Sequence, residues 1–202
     1  MSNRKRKSRR LPPAQVFLDE TVFITMVCAA AEAYRRECYG VLLGDTRRGR
    51  TYIRAAFAYQ TARRTPKSVD LVDGRRRVIR QVLPSFPRYN YIGEFHSHPG
   101  YGRERGETGI SPEDLRGTRP GEYELIVAVN RRKYSFPWQY CADGSLSGSA
   151  GRFGIRIRAY RAVEMKKGGV RASPVHLRCA YAVKTASSPR LLREQQKKNH
   201  GP

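Results

Sequence analysis

The sequence predicts one mixed domain of the α/β or α+β class. The chain has 202 residues, which is enough for a single domain with extensions. Hydrophobic residues make up 39% and aromatic residues 10%, so the chain is able to bury a core. Segments with strand character and helix character alternate along it, which is typical of a sheet combined with helices. No apolar run approaches the roughly 18 to 20 residues of a membrane helix, so an integral membrane protein is not expected.

The first half of the chain predicts two helices and three strands. Apolar side chains at helical spacing, such as Val22 and Met26, predict a helix over residues 19–36, with Asp19 or Thr21 as its cap. Runs of apolar and β-branched residues predict the strands, and turn-forming residues separate them. We predict strands at 37–44, 51–59 and 89–98, a polar loop at 61–74, and a helix at 75–83.

The second half begins with a Gly-rich loop over residues 99–110. Ser111 and Pro112 have the residue types favoured at the cap and first position of a helix, so a helix is expected to start there. Further strands are expected at 124–130, 135–142, 152–163 and 176–183. The predicted organisation is a basic tail at 1–13, a domain at 14–163, and a basic C-terminal extension at 164–202.

The composition is strongly basic. Lys and Arg total 40 against 17 acidic residues, the formal net charge is +23, and 31 of the basic residues are Arg. Such a surface attracts polyanions, whether nucleic acid, an anionic membrane or an acidic protein. No helix-turn-helix, zinc-finger or RNP motif accompanies the charge, so nucleic acid is possible but is not the favoured partner. No membrane partner is expected.

The N-terminal segment and the cysteines bear on location. A basic stretch followed by the apolar run 21–31 loosely resembles a secretory signal, but Pro12, Pro13, Asp19 and Glu20 separate the two parts. The four cysteines are widely spaced and form no CxxC pair, which favours reduced thiols. A cytoplasmic location is therefore predicted.

The chemistry is concentrated in Glu94-Phe95-His96-Ser97-His98-Pro99. His96 and His98 are two residues apart on a predicted strand, so both imidazoles point to the same face and are able to meet at one ion. Asp114, at the start of the next predicted helix, offers a third ligand. Two His and one Asp with an open fourth position are typical of a catalytic zinc site, where the metal lowers the pKa of a bound water.

These residues resemble the signature of the JAMM metalloproteases, also called JAB or MPN-plus domains. That signature is an upstream Glu, then His-x-His-Pro, then Ser-x-x-Asp. Here it corresponds to Glu37, to His96-Ser97-His98-Pro99, and to Ser111-Pro112-Glu113-Asp114. The resemblance covers about residues 16–145, and the motif around His96 is most similar to the prokaryotic branch of the family.

The resemblance implies a fold, a reaction and a set of roles. The fold would be a mixed, curved β-sheet flanked by helices, in a cytidine-deaminase-like arrangement. The reaction would be zinc-dependent hydrolysis of a peptide or isopeptide bond, often after the C-terminal Gly of a ubiquitin-like protein or conjugate. His96, His98 and Asp114 would hold one zinc ion per chain. Glu37 would be the general base for the zinc-bound water, and Ser111 would stabilise the oxyanion.

Other interpretations of these residues remain open. Glu94 shares the face of His96, so it is expected either to support a ligand by a hydrogen bond or to hold the strand, and it competes with Glu37 for the role of base. Ser111 and Asp114 would also serve as ordinary helix-capping residues. The eleven residues between Pro99 and Ser111 exceed the family's usual spacing, and this insertion would either bulge outward or cover the metal and contact substrate. The alternative function is a catalytically silent MPN-type scaffold that binds nucleic acid or a protein through its Arg-rich surface.

Overall fold

The protein forms a strand-rich α+β domain. A computed structural model describes residues 14–59, 63–64, 69–70, 78–79, 81–86, 88–166 and 168–186. In this part of the chain the α-helices with defined bounds are α1 (Glu20–Glu32) and α2 (Ala180–Ala186); residues 78–79 and 81–82 are also helical, and a short 3-10 helix spans Leu83–Ser85. The strands are β1 (Gln15–Leu18), β2 (Tyr39–Arg47), β3 (Arg50–Ala58), β4 (Arg63–Arg64), β5 (Val69–Asp70), β6 (Asn90–Pro99), β7 (Tyr123–Arg131), β8 (Gln139–Tyr140), β9 (Leu146–Ala150), β10 (Phe153–Glu164) and β11 (Val170–Arg178).

Nine of these strands form one mixed sheet in the order β11-β1-β3-β2-β6-β7-β10-β9-β8. The sheet also closes on itself, because the second half of β10 pairs with β11 while its first half pairs with β9. Strand β6 lies between β2, which is antiparallel to it, and β7, which is parallel. The strand that carries both histidines is therefore held by hydrogen bonds on both edges.

Helix α1 packs one face against the sheet and completes the core. Val22, Met26 and Ala30 recur at helical spacing and are completely buried. Burying a side chain of the size of Val22 or Met26 contributes about 1.5–3 kcal/mol to the free energy of unfolding. The helix begins after Asp19, whose carboxylate pairs with Arg54 on β3 at 3.0 Å rather than capping the helix.

The strand predictions at 37–44, 51–59, 89–98, 124–130 and 152–163 are confirmed to within a few residues. The first helix is shorter than predicted and ends at Glu32. The helix predicted at Ser111 is wrong, because residues 112–117 form successive turns with hydrogen bonds between residues three apart. Within the predicted loop 61–74, residues 63–64 and 69–70 form the antiparallel pair β4–β5, and within the helix predicted at 75–83, residues 78–79 and 81–82 are helical. The rest of the loop, and residues 75–77 and 80, lie outside the described residues.

The folded domain continues past the predicted boundary at residue 163. Strand β11 pairs with both β1 and β10, and it is followed directly by α2. Val175, Leu177 and Ala182 are buried in the main core. Residues 170–186 thus belong to the domain, and the strand predicted at 176–183 is in fact the end of β11 followed by a helix. No helix in the described segments is long and apolar enough to cross a membrane.

Candidate metal centre

The two histidines meet on one face of β6. His96 lies opposite Tyr39 of β2 and Ile126 of β7. Because side chains two residues apart on a strand share a face, His98 points the same way, and the Nε2 atoms of the two rings are 3.0 Å apart. His96 is buried and His98 is partly exposed, so the pair is open to solvent on one side only.

Asp114 joins the histidines from the loop between β6 and β7. Its Oδ1 atom is 3.3 Å from Nε2 of His96. One ligand atom from each of His96, His98 and Asp114 lies within 4.8 Å of the other two. In a tetrahedral zinc site with bonds of about 2.0–2.1 Å, ligand atoms are roughly 3.3 Å apart. The spacing of the three side chains therefore suits a small divalent ion.

Ser111 fixes the orientation of Asp114 even though no helix starts there. The backbone N–H of Ser111 donates to Oδ2 of Asp114 at 2.7 Å, and the N–H of Asp114 donates to Oγ of Ser111 at 3.2 Å. This reciprocal pair resembles the hydrogen bonds that cap a helix. It leaves Oδ1 of Asp114 directed at His96, and it does not use the hydroxyl hydrogen of Ser111.

Both imidazoles are held through their Nδ1 atoms. Nδ1 of His98 is 2.9 Å from the carbonyl oxygen of Glu107, which is only an acceptor, so that nitrogen carries hydrogen. Nδ1 of His96 is 2.9 Å from Oε1 of the buried Glu124. A histidine that donates from Nδ1 presents the lone pair of Nε2, which is the arrangement of metal-binding histidines. Without a metal, the hydrogen bond to Asp114 favours a proton on Nε2 of His96, and a metal ion would take the place of that proton between the two Nε2 atoms.

The electrostatics also favour a positive charge between His96, His98 and Asp114. Burial opposes a charged His96, but hydrogen bonds to Asp114 and Glu124 outweigh it and raise the pKa of His96 to about 10. Burial lowers the pKa of His98, and the neighbouring charge of His96 adds to this effect. Burial disfavours the Asp114 carboxylate, yet its hydrogen bond to His96 lowers the pKa of Asp114 to about 2. The donor set therefore fits a metal cation chemically as well as geometrically.

Glu37 lies beside this cluster, at the start of the segment leading into β2. Burial raises its pKa to about 7, while the charge of His96 lowers it and that of Asp114 raises it. Ser97 fixes the adjoining backbone: its N–H donates to the carbonyl of Cys38 at 3.0 Å, and its Oγ accepts from the N–H of Cys38 at 2.8 Å. The structure thus brings together Glu37, Ser111 and the three predicted ligands.

Glu94 lies close to the cluster without being one of its three candidate ligands. It is buried on β6 beside Glu124 of β7, and its carboxylate accepts a hydrogen bond from the hydroxyl of Tyr39. The ring of Tyr39 stacks on that of His96, with centroids 6.0 Å apart. Glu94 thus contacts a neighbour of the ligand, and the carboxylate bonded to His96 belongs to Glu124. Sequence reasoning treated Glu124 only as the start of a strand, although a charged residue within the apolar run Tyr123–Arg131 was a usable signal.

The inserted loop folds back against β6 and β7. Asn130 holds Gly106 through both backbone atoms, since its Oδ1 accepts from the N–H at 2.9 Å and its Nδ2 donates to the carbonyl at 3.0 Å. Gly106 has no room for a side chain, because a Cβ there would lie 2.0 Å from the carbonyl oxygen of His98. The loop then supplies the Glu107 carbonyl that orients His98. The insertion is therefore part of the structure that supports the site.

Comparisons with known proteins agree with this architecture. The model of the family described as JAB1/Mov34/MPN/PAD-1 ubiquitin protease matches residues 12–106. That match includes Glu37, His96 and His98 and ends before Ser111 and Asp114. The match over residues 12–106 supports a domain of the JAB/MPN family in this chain. The third ligand position rests on the geometry described above.

One solved structure with a similar fold is the solution structure of protein DSY2949 from Desulfitobacterium hafniense. The two chains share 15% sequence identity with a TM-score of 0.52, and the similarity covers 81% of this chain and 92% of that one. At this identity the likeness supports the mixed α+β fold alone. A comparison with the curated proteins gives no match.

Proposed function

We propose that the protein is a zinc-dependent peptidase or isopeptidase of the JAMM type. The observation that carries the proposal is the convergence of His96, His98 and Asp114, with both Nδ1 atoms held so that the Nε2 atoms point inward. A catalytically silent scaffold would have no use for this intact donor set. One zinc ion per chain, held by these three side chains, would act as a Lewis acid and make water a nucleophile at neutral pH.

Glu37 is the proposed general base. It would accept the proton of the attacking water and deliver it to the nitrogen of the leaving amine. Burial keeps the pKa of this carboxyl near the pH at which such a shuttle operates. The two hydrogen bonds between Cys38 and Ser97 hold the backbone that carries Glu37.

Ser111 is the proposed stabiliser of the oxyanion. Its Oγ already accepts from the N–H of Asp114, so its hydroxyl hydrogen remains to be donated to the oxygen of the scissile carbonyl. The proposed substrate is a ubiquitin-like protein or its conjugate, cleaved after a C-terminal Gly in deconjugation or precursor maturation. We also propose a cytoplasmic location and a cytidine-deaminase-like arrangement of the sheet and helices.

The first test is the zinc content of the purified protein. We expect about one zinc per chain in the wild type and loss of zinc in Asp114→Ala, with circular dichroism showing that the variant is folded. A folded wild-type chain that takes up no zinc when it is offered would contradict the proposal.

The second test is cleavage of ubiquitin-like proteins whose C-terminal Gly is linked by an amide to a fluorescent amine. We expect His96→Ala and Glu37→Ala each to abolish release of the amine without unfolding the domain. Of the two, only His96→Ala should also lose zinc. Cleavage that persists in both variants would refute the assigned roles.

A further inference from the structure

A basic cleft of about 660 Å³ lies beside the candidate metal centre. One wall is the inserted loop at residues 100–105, which follows His98 and Pro99 directly in the chain. The opposite wall is the end of β7 at residues 130–132, and the segment after α1, at Tyr34 and Arg35, closes it. Each of these segments is anchored to the sheet or to α1, so the cleft is a feature of the folded domain.

The charge of this cleft is nearly all of one sign. Glu104 is the one acidic residue in its lining, against five arginines: Arg35, Arg103, Arg105, Arg131 and Arg132. All five are exposed, and within the described ranges none of the ion pairs formed involves them. Arg35 has a φ of 80°, a backbone conformation that is uncommon for residues with a side chain. An arginine is thus placed at a position that the backbone alone would assign to glycine.

The cleft is also joined physically to the metal centre. Tyr101 and Glu104 exchange backbone hydrogen bonds at 3.1 and 3.0 Å, which gives the loop a fixed shape. The N–H of Gly100 donates to the carbonyl of Val129 at 2.8 Å, and Asn130 holds Gly106. The same loop then bonds Nδ1 of His98 through Glu107. A ligand in the cleft would therefore contact the same loop that orients His98.

We propose that this cleft binds an acidic segment of the protein substrate, with several closely spaced Asp or Glu side chains. Guanidinium groups pair with carboxylates through two parallel hydrogen bonds, and an array whose members form no ion pairs within the described ranges favours a multiply charged ligand. The assignment to a peptide rests on the proposed function, since a peptidase presents peptide next to its metal centre. Nucleic-acid bases would find one exposed ring in the cleft, that of Tyr101, because the ring of Tyr34 is already covered by Arg131 and Phe153.

Equilibrium binding tests this proposal without any need for cleavage. The probe is a short fluorescein-labelled peptide rich in Glu, and the readout is fluorescence anisotropy at low and at physiological salt. The cleft variants are R103E/R105E on the loop and R131E/R132E on the strand. The matched control is R161E/R171E, which changes the net charge equally. Both control residues are exposed, and Arg161 lies opposite Tyr123 at the far end of β7 from Arg131.

We expect each cleft variant to weaken peptide binding on the order of tenfold, and the control to change it far less. Equal weakening in all three variants would mean that only the overall charge matters, and it would overturn the proposal. A labelled oligothymidine that binds in a cleft-dependent manner while the peptide does not would also overturn it, in favour of nucleic acid. Each variant is checked for folding by circular dichroism.

Failure of the cleft proposal can be told apart from failure of the proposed hydrolase function. Peptide binding is measured in parallel on His96→Ala, which lacks a metal ligand but keeps every arginine of the cleft. Cleft-dependent binding by a protein that neither holds zinc nor cleaves would contradict the hydrolase alone. Zinc-dependent cleavage together with charge-independent peptide binding would contradict the cleft alone.

Discussion

At the scale of single residues, the direction of His96 depends on a carboxylate that does not belong to the metal ligands. Glu124 is buried on the neighbouring strand and lies 2.9 Å from Nδ1 of His96. The negative charge of its side chain makes the imidazole a better electron donor, and the hydrogen bond fixes the tautomer. Burial raises the pKa of Glu124 to about 7, because the core disfavours the charged form of this carboxylate.

The first prediction concerns this pair. Glu124→Gln keeps an acceptor for the Nδ1 hydrogen but removes the charge, so we expect zinc affinity to fall by about tenfold or more. Competition with a chromophoric chelator measures it. Glu164→Gln, at the exposed end of β10, is the control and should bind zinc as the wild type does. Unchanged affinity in Glu124→Gln would show that the charge of Glu124 does not reach the metal.

A second residue-scale prediction concerns Asp143, remote from the site in sequence. Burial would raise the pKa of Asp143, but hydrogen bonds from Ser145 and Arg156 outweigh it and lower the value to about 2. Because the folded-state pKa is depressed, the stabilisation is present above the ordinary value near 3.8 and is lost as the pH falls towards 2. Asp143→Asn should remove this contribution, on the order of 1 kcal/mol because the pair is partly exposed.

Urea unfolding at neutral pH and near pH 3 measures the effect. In the wild type the free energy of unfolding should fall over this interval, and in Asp143→Asn it should fall less. Asp45→Asn is not a suitable control, because Asp45 pairs with Arg47 and Arg54. The control variant is therefore Glu113→Gln, which also removes one carboxylate, because the side chain of Glu113 is exposed. Identical pH profiles for the wild type and Asp143→Asn would contradict the prediction.

At the scale of elements, β6 is the strand on which the site depends. One face carries His96 and His98, and Ser97 between them points to the other side, towards the segment that carries Glu37. A single tripeptide thus places two candidate metal ligands and the proposed base. This follows from the alternation of side chains along a strand.

The third prediction tests the link through Ser97. Ser97→Ala leaves the buried N–H of Cys38 without its acceptor, so the free energy of unfolding should fall by about 1–3 kcal/mol. Zinc content should be unchanged, because no ligand is altered, while kcat should fall through misplacement of Glu37. Ser147→Ala on β9 removes a comparable strand hydroxyl and should not affect kcat. A wild-type kcat in Ser97→Ala would show that Glu37 is positioned without this contact.

The sequence predicted this site better than it predicted the elements around it. His96 and His98 follow from strand alternation, which is local, and Asp114 from its spacing after Ser111. The helix expected at Ser111 is absent because the chain makes successive turns and then enters a left-handed conformation at Gly117, with a φ of 83°. Strand β1 has only four residues and exists through its pairing with β11 and β3, which no local pattern reveals.

The difference between local patterns and contacts of distant segments also explains why sequence reasoning missed two contributions to the site, those of Glu124 and of the inserted loop. Glu124 reaches His96 only because β7 lies parallel to β6 with Glu124 opposite Glu94, a register that sequence periodicity does not specify. The inserted loop had two open interpretations, outward bulge or contact with the site. The loop contacts the site because Asn130 holds Gly106. Asn130 lies on a strand 24 residues further along the chain.

At the scale of the whole molecule, the C-terminal elements close the sheet. β11 pairs with β1 in parallel and with β10 in antiparallel fashion, so it joins strands from the two ends of the domain. Leu177 and Cys179 are fully buried. Without β11, both β1 and the second half of β10 would present unpaired backbone groups.

The last prediction follows from this closure. A chain ending at residue 169 loses β11 and α2, and we expect it to be unfolded or aggregated. A chain ending at residue 186 keeps every described strand and helix and should unfold cooperatively, as the full chain does. Leu177→Ala in the full chain gives a graded measure, because removing a buried Leu side chain costs about 2–5 kcal/mol. Size-exclusion chromatography and urea unfolding are measured on all three proteins. If the chain ending at residue 169 had the unfolding midpoint of the full chain, the domain would end before β11.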